Sequence, residues 1–321
     1  MPLLSSDNVD ILLLQPRLTD ADPGVRRIAL IELADQEDPD ALPWLIHALS
    51  RDENDDVRSE AARLLEGWEE AEVVAALCAA LTDSSEEVRE IAAQSLCQLK
   101  TPAAGRIILT WVEHPQASVR GRVLRALREL RLPQSAEAAA SALGDPDAVV
   151  RREAVAVLGW LKHAAALPAL AKLASSDASV EVRRAATGAL GLASEQSVLP
   201  ALYAALQDSE WQVREEAANT LGKLRLMEGG PALVNALRDS YWQVRVQAAR
   251  ALGKLRFGAA TEALITLLHH EISNLRKEAA LALGELGDAA ALTALRAAEN
   301  DSDPEVRKAV RIAVAQLNTA S

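Results

Sequence analysis

The chain has 321 residues, half of them hydrophobic, but only six Trp, two Tyr and one Phe. Its apolar mass is therefore Ala, Leu and Val, which suits closely packed helices and excludes an aromatic-rich sheet sandwich; 25% charged residues exclude global disorder. A net charge of −12 argues against a general nucleic-acid binder, and two cysteines, Cys78 and Cys97, are too few for a disulfide scaffold and imply a reducing, cytoplasmic setting. The apolar run at 9–14 carries Asp10 and follows no basic residue, so neither a signal peptide nor a membrane span is expected.

In chain order, a hydrophobic residue followed by Arg recurs at Val25, Val57, Val88, Val119, Val150, Val182, Val213, Val244, Leu275 and Val306, in steps of 31 or 32 residues. Five residues before this anchor stands Asp20, Asp52, Asp83, Asp145, Asp177, Asp208, Asp239 or Asp301, with His114 and His270 in repeats four and nine. Positions 0, +4, +8 and +11 fall on one face of a 3.6-residue helix, which predicts an amphipathic helix B of about 12 residues at each anchor. Upstream, segments such as 199–206 and 231–237 predict a helix A with Pro in its first turn. The Asp between them is expected to N-cap helix B and to reach an Arg of its own or a neighbouring repeat. Gly at +9 in repeats five to nine (Gly159, Gly191, Gly222, Gly253, Gly284) predicts close helix packing. One such pair cannot bury its apolar faces alone, so neighbours must stack. The expected fold is all-α, an α/α superhelix of about ten helix pairs, in a single domain over 1–321 with no Pro- or Gly-rich linker.

The D-x-x-x-x-V-R-x-x-A-A-x-x-L-G pattern, clearest at 208–222 and 239–253, resembles the short HEAT-like repeats of the phycobilisome-lyase type along essentially the whole chain. The resemblance is specific for fold and implies two functions of different class. One is an interaction scaffold; the other is a chromophore lyase subunit or chromophore-handling chaperone with a tetrapyrrole as its cofactor.

The first repeats drift from the pattern and are acidic. Residues 1–100 hold 22 Asp+Glu against 8 Lys+Arg, net −14, whereas 101–321 hold 24 against 26, net +2. The acidic stretches 35–40 and 52–56 read as a solvated rim or as an acidic docking surface. Repeats seven and eight match at 13 of 18 positions between 208–225 and 239–256.

Helix B positions +2, +6 and +10 are expected to point away from the core. They place Arg125, Arg152, Trp160, Arg184, Lys223, Arg250 and Lys254 around a groove opened by Ala156 and Gly188, fit for an acidic protein or peptide. Nearby Glu153, Glu215 and Glu216 stand ready to neutralise these cations, which would leave a solvated charged face. Arg122, Arg125, Arg128 and Arg131 form a further basic series. Trp211, Tyr241 and Trp242 gather where two helices B begin, either as an exposed binding ladder or as packing between repeats. Leu281 and Ile312 offer a second apolar contact.

No phosphate loop, dinucleotide fingerprint, H-E-x-x-H, C-x-x-C or G-x-S-x-G occurs. His269 and His270 point about 100° apart on a helix and do not share an ion. No catalytic residue, metal site or cofactor is therefore expected outside the chromophore reading. The preferred function is a non-enzymatic scaffold binding a protein or peptide partner; nucleic acid ranks last.

Overall fold

Each repeat is built around one tight corner. The A helices Leu42–Arg51, Leu167–Ser176, Leu199–Ala205 and Gly230–Ala236 carry Pro in their first turn, where a missing N–H costs nothing. Each B helix begins two residues before its anchor, and Asp22, Asn54, Asp147 and Ser179 cap it by accepting backbone N–H groups with their side chains. The recurrent Asp five residues before the anchor is thus not the N-cap. It stands two residues earlier and accepts the N–H of the capping residue, as Asp20 does from Asp22 (2.8 Å) and Asp239 from Tyr241 (2.9 Å). This Asx turn leaves the rest of the carboxylate free to work between repeats.

The computed structural model describes residues 8–193 and 196–320, and every regular element among them is a helix. They form ten A/B pairs and divide into two compact units, Met1–Leu161 and Lys162–Ser321, of five pairs each. In the first unit the B helices are Pro23–Ala34, Asp55–Leu64, Glu86–Gln98, Ala117–Leu130 and Ala148–Trp160. In the second they are Val180–Ala189, Trp211–Leu224, Trp242–Leu255, Ser273–Leu286 and Pro304–Ala320. Within each unit every A helix packs on its own B helix, and every B helix packs on the B helix of the next repeat. Anchor, +4 and +8 residues such as Val88, Ala92 and Leu96, or Val213, Ala217 and Leu221, are fully buried, as the 3.6-residue pattern requires.

The +9 glycines set the closest B–B approach in the second unit. A β-carbon on Gly222 would lie 2.9 Å from Ala251 Cβ, on Gly253 2.9 Å from Ala282 Cα, and on Gly284 2.8 Å from Ala313 Cα. Gly191 differs, having ordinary room beside Thr220 Cγ2 at 3.5 Å.

Candidate functional site

The Val-Arg dipeptide explains the recurrent Asp. In six resolved rungs the Arg after the anchor forks onto the Asp of the following repeat: Arg26–Asp52, Arg58–Asp83 and Arg120–Asp145 in the first unit, Arg183–Asp208, Arg214–Asp239 and Arg276–Asp301 in the second. Both bonds of each fork lie between 2.7 and 3.0 Å. The third nitrogen donates back to the carbonyls of its own A–B turn, as Arg214 does to Asp208 (2.7 Å) and Ser209 (3.0 Å). One guanidinium therefore closes its own turn and clasps the next.

Burial pulls the carboxyls of Asp83, Asp208 and Asp239 upward, but the guanidinium and backbone N–H bonds outweigh it and hold them below the usual range. At Asp145 and Asp301 the Arg bond itself is the largest influence, in the same direction. Depressed carboxyls contribute stability that is complete above the unfolded value of about 3.9 and is lost as pH falls through the lower folded values. The urea midpoint is accordingly expected to hold steady from about pH 7 to 5 and to fall steeply below about pH 4. A midpoint unchanged at pH 3 would remove the clasps from the stability of the array.

The two His substitutions break this register. At repeat four, His114 stacks on Trp111 (5.5 Å), and Arg89 bonds Glu86 of its own helix. At repeat nine, Arg245 Nη1 sits 3.1 Å from His270 Nε2, while the Ile272 N–H donates to Nδ1 at 3.0 Å. A neutral imidazole accepts at one nitrogen only, so two donors compete for one lone pair, and Arg245 Nε is buried without a partner. His270→Asp restores a two-oxygen acceptor. We expect it to stabilise the protein by about 1 kcal/mol, read from denaturant midpoints; no gain would mean that this rung is already satisfied.

The basic row on the B-helix face is largely compensated. In the first unit Arg125 meets Glu90 (3.3 Å), Arg122 meets Glu86 and Glu90, and Arg128 and Arg152 share the buried Glu153 at 3.1 and 2.9 Å. Arg131 lies over the ring of Trp160, 4.5 Å from its centroid, yet Trp160 stays 55% exposed. In the second unit Arg250 forks onto the buried Glu278 with two 2.7 Å bonds, and Lys223 reaches Glu216 (3.6 Å). Burial pushes the Glu278 carboxyl up, and the Arg250 bonds more than reverse this. Arg184 and Lys254 are exposed, with no carboxylate in ion-pair reach among the described residues. Of the carboxylates expected to neutralise the row, Glu153 and Glu216 do so, and Glu90 and Glu278, on neighbouring repeats, join them. Their trace in the sequence is a Glu at +2 or +3 one repeat away from a +6 Arg.

Trp211 and Tyr241 stack in parallel across adjacent repeats, 5.7 Å apart and 14° from coplanar, with Arg214 at 5.6 Å from the Tyr241 ring. The Trp211 face is thus used between repeats, while Tyr241 (45%) and Trp242 (37%) remain exposed beside it. Ile312 is exposed and Leu281 half-buried.

Cys78 is fully buried and its thiol is pushed up to about 12; burial takes Cys97 to about 11, so neither is a thiolate at neutral pH. Among the described residues no group of three or more His, Cys, Asp or Glu is placed to hold a metal, and no helix is long and apolar enough to cross a membrane.

Comparison with solved structures places this architecture among HEAT-like arrays. A Kap95p–RanGDP complex contains a chain that aligns with 99% of this one at a TM-score of 0.64 and 12% identity; 53% of that chain is covered. A crystallised engineered protein aligns over 97% of this chain and 99% of its own (TM-score 0.55, 22% identity). The E. coli protein YibA aligns over 98% and 99% (TM-score 0.52, 20% identity). No curated protein sequence matches the chain. The sequence pattern of HEAT repeats matches residues 11–97, 106–180, 172–232 and 230–315, and the chain belongs to the HEAT repeat family.

Proposed function

We propose that this protein is a non-enzymatic interaction scaffold that binds a protein or peptide on the B-helix face of each unit and along the Tyr241–Trp242 edge of the second. The observation that carries the reading is the division of labour among its side chains. The recurrent Arg and Asp are consumed in clasps between repeats, whereas Trp160, Tyr241 and Trp242 stand exposed at the surface, where amphipathic rings bury area at little entropic cost. The partner-facing residues are Arg125, Arg152 and Trp160 in the first unit, and Arg184, Trp211, Lys223, Tyr241, Trp242, Arg250 and Lys254 in the second. Most of these cations carry a carboxylate beside them, so they confer selectivity on a partner rather than a large uniform field.

The phycobilisome-lyase subtype is supported by the 31-residue period and the Asp–Arg pattern. Chromophore binding is the weaker reading, because Arg131 covers one face of Trp160 and Tyr241 covers Trp211, leaving few free stacking faces. Free, protonated thiols suit a reducing, cytoplasmic setting.

The test is affinity capture with the full chain from its source cells, comparing wild type with Trp160→Ala/Arg184→Glu and Tyr241→Ala/Trp242→Ala. Loss of a defined partner in either variant, corresponding to about 2 kcal/mol or more of binding energy, is the expected result. A partner retained by both would displace this surface. A visible absorbance band after co-expression with a bilin supply would favour the chromophore reading.

A further inference from the structure

The second unit carries a group of cations that the clasps do not use. Its B helices Trp211–Leu224, Trp242–Leu255 and Ser273–Leu286 end on Arg225, Arg256 and Gly287, all left-handed, with φ of 54°, 52° and 78°. Glycine is the unstrained choice there, and a β-carbon meets a steric penalty. Two arginines thus stand where backbone preference favours the glycine found in the next repeat. Together with Lys254 they line a depression of about 520 Å³, with Glu285 on its wall. Arg183, Arg214, Arg250 and Arg276 of the same unit all bind carboxylates; Arg225, Lys254 and Arg256 are exposed and have none in ion-pair reach among the described residues.

The repeat sets the spacing. Packed helices lie about 8–10 Å apart, so Arg225 and Arg256, equivalent residues of neighbouring repeats, are rooted about 9 Å apart. An extended polyproline II chain has three residues per turn and rises about 3.1 Å per residue, which puts residues i and i+3 on one side about 9 Å apart.

We propose that this depression binds an extended acidic polypeptide segment with carboxylates three residues apart, a Glu-x-x-Glu pattern, one to Arg225 and one to Arg256, with Lys254 adding a third positive charge. The inference rests on the scaffold reading and assigns it a ligand class. Guanidinium forks match carboxylates bidentately. Three cations beside Glu285, in a chain of net charge −12, do not make the continuous basic track that a nucleic-acid backbone requires.

The test is fluorescence anisotropy of a fluorescein-labelled peptide bearing Glu at every third position, separated by Pro and Ala, against the full chain at low ionic strength. Saturable binding is expected, weakened about tenfold or more in Arg225→Gly/Arg256→Gly, which suits the left-handed backbone and so keeps the fold. The Gln peptide, and one with its Glu residues adjacent, should bind more weakly. The proposal is overturned by no binding, by equal binding of the Gln peptide, or by unchanged affinity of the glycine variant. It is also overturned if inorganic phosphate or an oligonucleotide displaces the peptide preferentially, or if the site is filled by the acidic turns of a second copy, seen as self-association that the glycine variant abolishes. Failure here with capture of a partner intact would leave the scaffold reading standing; peptide binding without any captured partner would do the reverse.

Discussion

Arg214→Ala is expected to lower the unfolding free energy by about 3 kcal/mol. The guanidinium makes two bonds to Asp239 and two to the carbonyls of its own turn, and both members of the pair keep only 11% of their side-chain surface in water. Removing it strands a half-buried carboxylate and leaves turn carbonyls unpaired, so the cost exceeds that of an exposed ion pair. Contact of Arg214 with the Tyr241 ring is lost as well. Asp239→Asn should cost less, because an amide oxygen still accepts the Tyr241 N–H. A double-mutant cycle in urea reads the coupling, and a coupling near zero would show that the clasp contributes geometry but no stability. Since each repeat touches only its neighbours, the loss should also loosen hydrogen-exchange protection locally around repeats seven and eight.

Gly284→Val should cost a further about 3 kcal/mol by overpacking. Its β-carbon would stand 2.8 Å from Ala313 Cα and 2.9 Å from Ala313 Cβ, and also against the Gln316 side-chain oxygen. The Gln316 side chain can swing away, but the Ala313 Cα behind it is helix backbone, which cannot rotate aside, so the two helices must part. Gly191→Ala is the control: its β-carbon finds ordinary contact with Thr220, and we expect a neutral change or a gain of up to about 1 kcal/mol. Thermal unfolding of the two variants checks the contrast, and a Gly284→Val protein as stable as wild type would mean that the array opens at no cost.

The helical repeat was legible because its cause is local. Valine anchors, alanines at +4 and leucines at +8 each report a periodic burial that one repeat states by itself and ten repeats restate. Three glycines at +9 proved to be close-approach points for the same reason. The Asp is a partner for Arg, as its recurrence suggests, but not the N-cap: both roles ask for a carboxylate near a helix start, and only backbone geometry separates an Asx turn from a cap two residues later. The basic row is legible in the sequence, but its full set of counter-charges is not. Arg125 and Arg250 are cations on a helix face in sequence, but the carboxylates that neutralise them, Glu90 and Glu278, stand 35 and 28 residues away. Arg225 and Arg256 are not legible as a pair, since among these residue types only glycine and asparagine signal a left-handed helix end.

The aromatic scarcity and the charge of −12 with which the chain presents itself divide along the same line. Sequence alone determined the all-α class, the 31-residue period, the ten pairs and the buried stripe, because backbone periodicity and burial act within a window of a few residues. Tertiary structure alone decided which charges are spent. Whether an Arg clasps the next turn, pairs across a helix face, covers a Trp or stays open in a depression depends on distances between repeats, and an ion pair falls off with separation in space rather than along the chain.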